Sequence, residues 1–424
     1  MSAARGGIDA ASLRRAIGER KLGDWVITDR TRRQAGISLA GAQPRWRTEE
    51  RTDVRVLVRR DLPAGRGTGV AWTQERSGDP RALIGQAVAR AEAAIEPPWA
   101  TPPPAAIAKV AVDDERVTAD EAGAQALALT LQSAAAGAGA RLLAYRATVT
   151  RDELALVSAS GLQLTWRETA LEVWASVERD GRRGAVRRLA RRADELSLPA
   201  TLAALVAELS ARGAPAPPPR GPVLLELAPE AMLGDDELGV WCALTAPCDA
   251  EASRRGLRRH RPGDRLGDAE TPLEVWSDGV LPFGLRSAPV GAEAEAVRRF
   301  RLIGDGKLGE LGMGPQEAAL RGVAPNGGVR NLVVNVGTAA PAPAGGLPVV
   351  RVARLARLAF DPLTGQAEGE LGHATTDDGK VLSAGAFSLD LARALATAAR
   401  APQLLRRGAY LGPSWIRLGP VTLT

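Results

Sequence analysis

The sequence predicts an α+β protein in which N-terminal α/β units precede a β-rich, barrel-like C-terminal domain. Three observations carry this. In the first half, runs with two-residue apolar alternation are interleaved with stretches of helical spacing. Two Pro-rich segments, PPWATPPP (97–104) and APAPPPRGP (214–222), interrupt any regular element. Beyond the second, short apolar runs punctuated by Asp-Gly, Gly-Asp and Pro-Asn-Gly dominate. At 424 residues the chain exceeds one ordinary core. The two breaks set expected boundaries: an N-terminal strand-and-helix domain at 1–104, a middle α/β region at 105–220 and a β-rich domain at 221–424.

From residue 24, DWVITD, GISLAG and DVRVLVRR read as short strands, the last with Val54, Val56 and Val58 alternating with charged neighbours. Asp79-Pro80 opens a helix whose stripe is Leu83, Ile84, Ala87, Val88, Ala91 and Ile95. Thr118-Ala119-Asp120-Glu121 has the Thr-x-x-Glu spacing of a capping box before AGAQALALTLQSA. LLAYRATVT and ELALVSASG read as extended. Leu162, Leu164 and Trp166 then share one face, and Asp180-Gly181 forms a turn. A helix starts near Ser197, with Pro199 early and Gly213 past its end. In the last part, VRRFRLIGDGKLGEL reads as a hairpin closed at Asp305-Gly306. LLELA, RNLVVNVG, VVRVARLAF, GQAEGELGHAT and SWIRLGPVTL read as strands, and LDLARALATAARAPQLLRR as a helix.

Composition narrows the function classes. Net charge is +6, yet Lys21, Lys109, Lys307 and Lys380 are the lysines among 55 basic residues, a bias that reads as a GC-rich genome. The densest basic run, RRGAVRRLARR (182–192), carries no interleaved aromatics or nucleic-acid motif and is expected to be a solvated connection. Nine Trp against four Phe and two Tyr concentrate the large rings in indoles, which serve cores or peptide-contacting surfaces. Two cysteines form no disulfide framework, the N-terminus lacks a signal-peptide core, and no run approaches bilayer length. A bacterial cytoplasmic location is expected.

Zinc hydrolysis needs imidazoles or anionic ligands converging on one ion and a carboxylate for the attacking water. The two histidines, His260 and His373, have no Glu or second His at helical spacing, and Cys242, Cys248 and His260 offer only an unconventional alternative set. Ser277-Asp278-Gly279 lacks a nucleophile elbow and reads as a tight turn, with the Asp accepting a local N–H. GDGKLG and APNGG match no phosphate-binding fingerprint and read as hairpin turns.

The stretch Glu274–Asn331 and its order of motifs resemble the TldD/PmbA family of peptidase subunits. The family's Ser-Asp-Gly-x-x-Pro-x-Gly turn is matched by Ser277, Asp278, Gly279, Pro282 and Gly284. Its Leu-Ile-x-x-Gly-x-Leu hairpin is matched by Leu302–Leu308 with Gly306, and its Asn-Leu strand by Asn331-Leu332 running to Gly337. The family's Asp-Asp-Glu-Gly is replaced by Gly291-Ala292-Glu293-Ala294-Glu295, so the match is to a divergent member. Catalytic TldD-type subunits carry His-Glu-x-x-x-His after a Val-x-Leu-x-Pro strand, and a ligand cysteine nearer the C-terminus. Here Leu233, Gly234, Asp235, Asp236 and Glu237 stand where the first histidine would fall, and no cysteine follows Cys248.

The resemblance therefore implies a TldE (PmbA)-type subunit with no catalytic residue and no metal of its own. It further implies a heterodimer with a TldD-like subunit that holds the zinc, cleaving unfolded or leader peptides in a shared chamber. Trp276, Arg298 and Arg299 are the expected contacts to partner or peptide. The alternatives are a self-associated peptide-binding or scaffolding protein without catalytic activity, and an independent hydrolase. Neither a membrane nor nucleic acid is an expected partner.

Overall fold

Long antiparallel strands build the N-terminal half. The computed structural model describes residues 8–41, 43–103, 107–211, 215–234, 238–268, 271–338 and 346–424. Strands β1 (Asp24–Ala40), β2 (Pro44–Leu62), β3 (Gly65–Thr73), β4 (Ile95–Glu96), β5 (Arg141–Ser158), β6 (Gln163–Arg179) and β7 (Arg182–Ala190) form one seven-stranded sheet, ordered β4-β3-β2-β1-β5-β6-β7. DWVITD and GISLAG, expected as two strands, are a single 17-residue β1. The charged bridge between them is accommodated because Arg30 and Arg32 pair with Asp152 of β5, and Arg33 with Glu50 of β2. LLAYRATVT and ELALVSASG likewise merge into the 18-residue β5. Because β1 pairs with β5 from Val26↔Ser158 to Ala40↔Ala144, the sheet runs through the 104/105 division, and the two N-terminal units share it.

Four helices cover one face: α1 (Ala10–Glu19), α2 (Pro80–Ala93), α3 (Glu121–Gly137) and α4 (Leu198–Ser210). Ile27, Val54, Val56 and Val58 pack with α1 and α2, while Ala35, Ile37, Val149, Val173 and Val186 pack with α3 and α4. Alternation along the strands sends the other residues to the opposite, more open face. Asp79 caps α2 by accepting from Arg81 N at 2.9 Å, but Ile95, expected on its stripe, belongs to β4 and is 43% exposed. The cap of α3 is Asp120, accepting from Gly123 N at 2.8 Å, rather than Thr118; a carboxylate is the stronger acceptor beside a helix N-terminus. The 182–192 run, expected as a solvated connection, is β7 and its continuation, with Arg188 and Arg191 buried.

The C-terminal half contains β8 (Pro222–Leu227), β9 (Val275–Asp278), β10 (Arg299–Gly304), β11 (Lys307–Leu308), β12 (Asn331–Val334), β13 (Val349–Phe360), β14 (Gln366–Thr376), β15 (Ala386–Asp390), β16 (Ala399–Arg400), β17 (Leu404–Arg407), β18 (Tyr410–Pro413) and β19 (Ile416–Thr422). They form two six-stranded sheets, β11-β10-β9-β12-β18-β17 and β15-β14-β13-β8-β19-β16. One apolar core serves both, drawing on Val223, Leu225 and Leu227 of β8, on Phe300 and Leu302 of β10, and on Trp241 stacked against Tyr410 at 5.8 Å. A short helix, α5 (Pro229–Leu233), follows β8. The expected α+β class, with a β-rich C-terminal half, is what the chain adopts. The long helix expected near the end stops at Leu391–Ala396 and gives way to β16 and β17. Pro402 lacks the N–H a continuing helix would need.

Candidate functional site

The Ser-Asp-Gly segment ends β9 and enters a buried turn. Asp278 Oδ1 accepts from Val280 N at 3.0 Å, the local bond expected from the sequence. Ser277 is fully buried, and its Oγ accepts from Arg330 N at 2.9 Å. A Cβ on Gly279 would lie 2.0 Å from Val297 Cγ1, and one on Gly284 would lie 2.7 Å from the Asn331 side chain. Asn331, at 0% exposure, fills that space: its Nδ2 donates to Asp278 O (2.7 Å) and Ser287 Oγ (2.9 Å), and its Oδ1 accepts from Arg286 N (2.9 Å). Pro282 O accepts from Arg406. The motif residues Ser277, Asp278, Gly279, Pro282, Gly284 and Asn331 thus converge on one cross-braced turn, while Gly306 sits apart at φ +70° in the β10–β11 hairpin.

Arg191, which sequence reasoning treated as surface charge, links the two halves. Its guanidinium donates to the carbonyls of Gly284 (3.0 Å), Leu285 (3.1 Å) and Ser287 (3.1 Å) in the turn. It also reaches Val112 O (3.1 Å), Thr169 O (3.3 Å) and the Glu168 carboxylate (3.2 Å) on the sheet side. A second contact comes from the loop that carries Glu293. Arg59 of β2, itself 3% exposed, pairs with Glu293 at 2.7 Å and lies 5.5 Å from the Trp99 ring centroid. Burial pushes the neighbouring Glu295 carboxyl up.

Trp276, Arg298 and Arg299 lie along the adjoining strands. Arg299 stacks over the Trp276 ring at 4.8 Å and Arg301 at 5.9 Å, while Glu274 fixes Arg301 by two bonds. Arg298 pairs with Glu310 and is 44% exposed in its side chain; Arg299 is 49% exposed. The Pro-Asn-Gly segment is not a hairpin turn. Asn326 is fully buried there, accepting from Met313 N (2.7 Å) and donating to Leu311 O (2.7 Å) and Glu310 (3.0 Å). The signal for it was the Asn itself, whose amide suits loop backbone.

The face of the N-terminal sheet away from the helices is apolar where Val26, Leu57 and Leu156 pack with Val290, and charged around Asp152. Asp152 is gripped there by Arg32 through two bonds (2.9 and 3.0 Å) and by Arg30, Arg187 pairs with Glu172 at 2.8 Å, and Trp72 stands 60% exposed. These residues share the face by register: Arg30↔Asp53 and Arg30↔Leu154 place Arg30 opposite its neighbours on both sides, with Trp72 opposite Arg55.

Among the described residues, the cysteines and histidines are poorly disposed to hold zinc. Cys248 is fully buried, donates to Leu244 O at 2.8 Å, and has its thiol pushed up to about 12 by burial, so it presents S–H rather than a ligating thiolate. Burial also holds the His260 and His373 imidazoles below their ordinary range, and His373 lies beside Glu208 and Arg354. Among the described residues no three His, Cys, Asp or Glu side chains meet as a metal-holding group. Asp235, Asp236 and Glu237 lie outside the described residues; Leu233 ends α5.

At the level of sequence, no family model and no curated protein matches the chain. Solved structures do. A candidate modulator of a DNA gyrase from Thermotoga maritima superposes with a TM-score of 0.78 at 15% identity, covering 97% of this chain and 98% of that one. TldE from Thermococcus kodakarensis gives 0.73 at 15% identity, over 96% and 98%. A candidate modulator of DNA gyrase from Bacteroides thetaiotaomicron gives 0.75 at 12%, over 98% of each. Along nearly its whole length, the chain has the fold of TldE and of these gyrase-modulator structures.

Proposed function

We propose that this chain is the supporting subunit of a heterodimeric, TldD/TldE-like zinc metallopeptidase of the cytoplasm. It supplies chamber wall and peptide binding, while a TldD-like partner carries the metal. The observation that carries the reading is the end-to-end likeness to the TldE structure; the described residues, which bring no three His, Cys, Asp or Glu side chains together, agree with it. The physical logic is a division of labour. Polar, Arg- and Trp-bearing strands can hold an extended peptide through backbone contacts and permissive side-chain pockets, and the Lewis acid is brought by the partner. Unfolded or leader peptides are the proposed substrates, since a strand-like peptide exposes its backbone along its whole length. No helix among the described residues is long and apolar enough to cross a membrane.

The test is to purify the chain alone and co-expressed with the TldD-like protein encoded nearest to it, measuring mass by light scattering, zinc in each peak and peptide turnover. A mixed complex with about one zinc per pair, active only when both chains are present, is expected. Stoichiometric zinc on the isolated chain would overturn the reading, as would a partner fully active by itself. Self-association without a partner would favour a scaffolding protein instead.

A further inference from the structure

Of the four helices that cover the N-terminal sheet, two have charged outer surfaces and two do not. α1 exposes Arg14, Arg15 and Glu19, and α2 exposes Arg81, Arg90 and Glu92. In α3 no charged residue follows Glu121 before Arg141, and in α4 none stands between Leu198 and Ala207. The exposed side chains of α3 include Gln125, Ala126, Leu129 and Ser133, and those of α4 include Pro199, Ala200, Ala203 and Ala207. A quarter of the chain is charged, so two adjacent helices whose exposed sides carry almost no charge depart from the rest of the surface. Depletion of charge is the compositional mark of an interface centre.

The same face carries a knob and a hollow. Leu129, 53% exposed, projects from α3. Beside it an open groove of about 730 Å³ runs between Thr130, Ser133 and Gly137 of α3 and Pro199 and Ala203 of α4. A two-fold axis through the face sets each Leu129 into the groove of the other copy, the self-complementary arrangement that a symmetric pair requires. Small residues beside the groove let the helix backbones of two copies approach closely. The 17-residue α3 is about 26 Å long and lies beside α4 at about 9 Å, so the face offers roughly 500 Å² per copy. A total near 1,000 Å² is about the lower limit for a specific interface and goes with weak, reversible association.

We propose that the α3–α4 face is an interface between two copies of this chain. A charged partner finds almost nothing there to pair with. A lipid surface needs large apolar anchors flanked by basic residues, which Ala and Ser do not supply. Both helices lie on the opposite side of the sheet from Leu57, Leu156 and Asp152, so pairing of copies leaves that other face free. The inference does not rest on the peptidase reading. Joined to it, the pairing gives assemblies with two copies of each subunit, and self-association amounts to scaffolding only where no TldD-like subunit joins.

Sedimentation velocity of the isolated full chain over roughly 5–500 µM, in low and high salt, tests it. The average mass should rise from that of one chain toward that of two, with half-association at roughly 10–100 µM. Salt should not weaken the pairing, because no ion pair is broken. Leu129→Glu and Ala203→Arg each set a charge on the face without entering the core. Each should weaken self-association about tenfold or more, melt as the native chain does and still join a TldD-like subunit; Ser133→Arg serves if either fails to fold. A chain that stays single throughout, pairing that salt abolishes, or pairing unaltered in the folded variants would overturn the proposal. So would loss, in those variants, of a mixed complex that the native chain forms, since the face would then belong to the TldD-like subunit.

Discussion

Arg191 Nε donates to the carbonyl of Gly284 at 3.0 Å, tying the end of the N-terminal sheet to the Ser-Asp-Gly turn. Neighbouring carbonyls from both halves converge on the same guanidinium, so the turn is shaped by a residue far from it in sequence.

Arg191→Met should therefore destabilise the protein by about 3 kcal/mol or more, because it leaves buried carbonyls and Glu168 unmatched. Arg191→Lys should rescue little of this, since an ammonium cannot reproduce the planar fork. Urea denaturation of the two variants gives the comparison, and a lysine variant as stable as the native protein would contradict it.

Gly284 and Asn331 should be energetically coupled. Gly284→Ala drives a Cβ to 2.7 Å from the Asn331 amide, and overpacking of this kind costs about 1–3 kcal/mol. Asn331→Ala removes three hydrogen bonds but also the obstruction. The double variant should be less destabilised than the sum of the singles by about 1 kcal/mol. Strict additivity would mean that the turn relaxes around the alanine.

The Glu295 carboxyl sets a pH dependence. Burial raises it, so the folded state favours the neutral form. Its contribution to stability is complete below the ordinary carboxylate range and is lost as pH rises through the raised folded value. Glu295→Gln, neutral throughout, should raise Tm by roughly 1–2 °C at pH 8 and change it little at pH 4. A larger gain at pH 4 would reverse the sign of the argument.

Cys248 should be inert in the folded protein. With its thiol at about 12, the thiolate fraction at pH 8 is about one in ten thousand. A thiol reagent added to native protein should leave Cys248 unmodified, as peptide mass mapping would show, and should reach it in urea. Rapid native labelling would mean that the segment opens readily.

Charge reversal of Arg298 and Arg299 addresses the proposed assembly. Both are exposed, so stability should change by less than about 0.5 kcal/mol. Trp276 loses Arg299, the nearer of its two stacked cations, and keeps Arg301; association with the TldD-like subunit or peptide turnover should fall. If neither moves, these residues have no part in contact.

Much of the fold was legible because alternation and turn chemistry are local signals. Val54, Val56 and Val58, the Asp79-Pro80 helix start and the Asp305-Gly306 turn all lie where their neighbours direct. What escaped was set by distant partners. Nothing near Arg30 and Arg32 announces Asp152, so β1 read as two strands. Nothing near Arg188 and Arg191 announces Glu230 or the Gly284 carbonyl, so a buried strand read as solvated charge. The motif residues were identified by type and order, but their mutual bracing through Asn331 depends on a strand that follows the turn by dozens of residues.

The pairing of β1 with β5 also has a bearing on synthesis. From the moment β1 and β2 leave the ribosome until residues 141–158 follow, the edge from Val26 to Ala40 has no strand beside it. A long unpaired edge invites pairing with other nascent chains, and contacts this far apart in sequence close slowly. The charges that obscured β1 in the sequence, Arg30, Arg32 and Arg33, lie in the middle of that edge. Before Asp152 arrives they can act as gatekeepers, keeping a half-made sheet in solution.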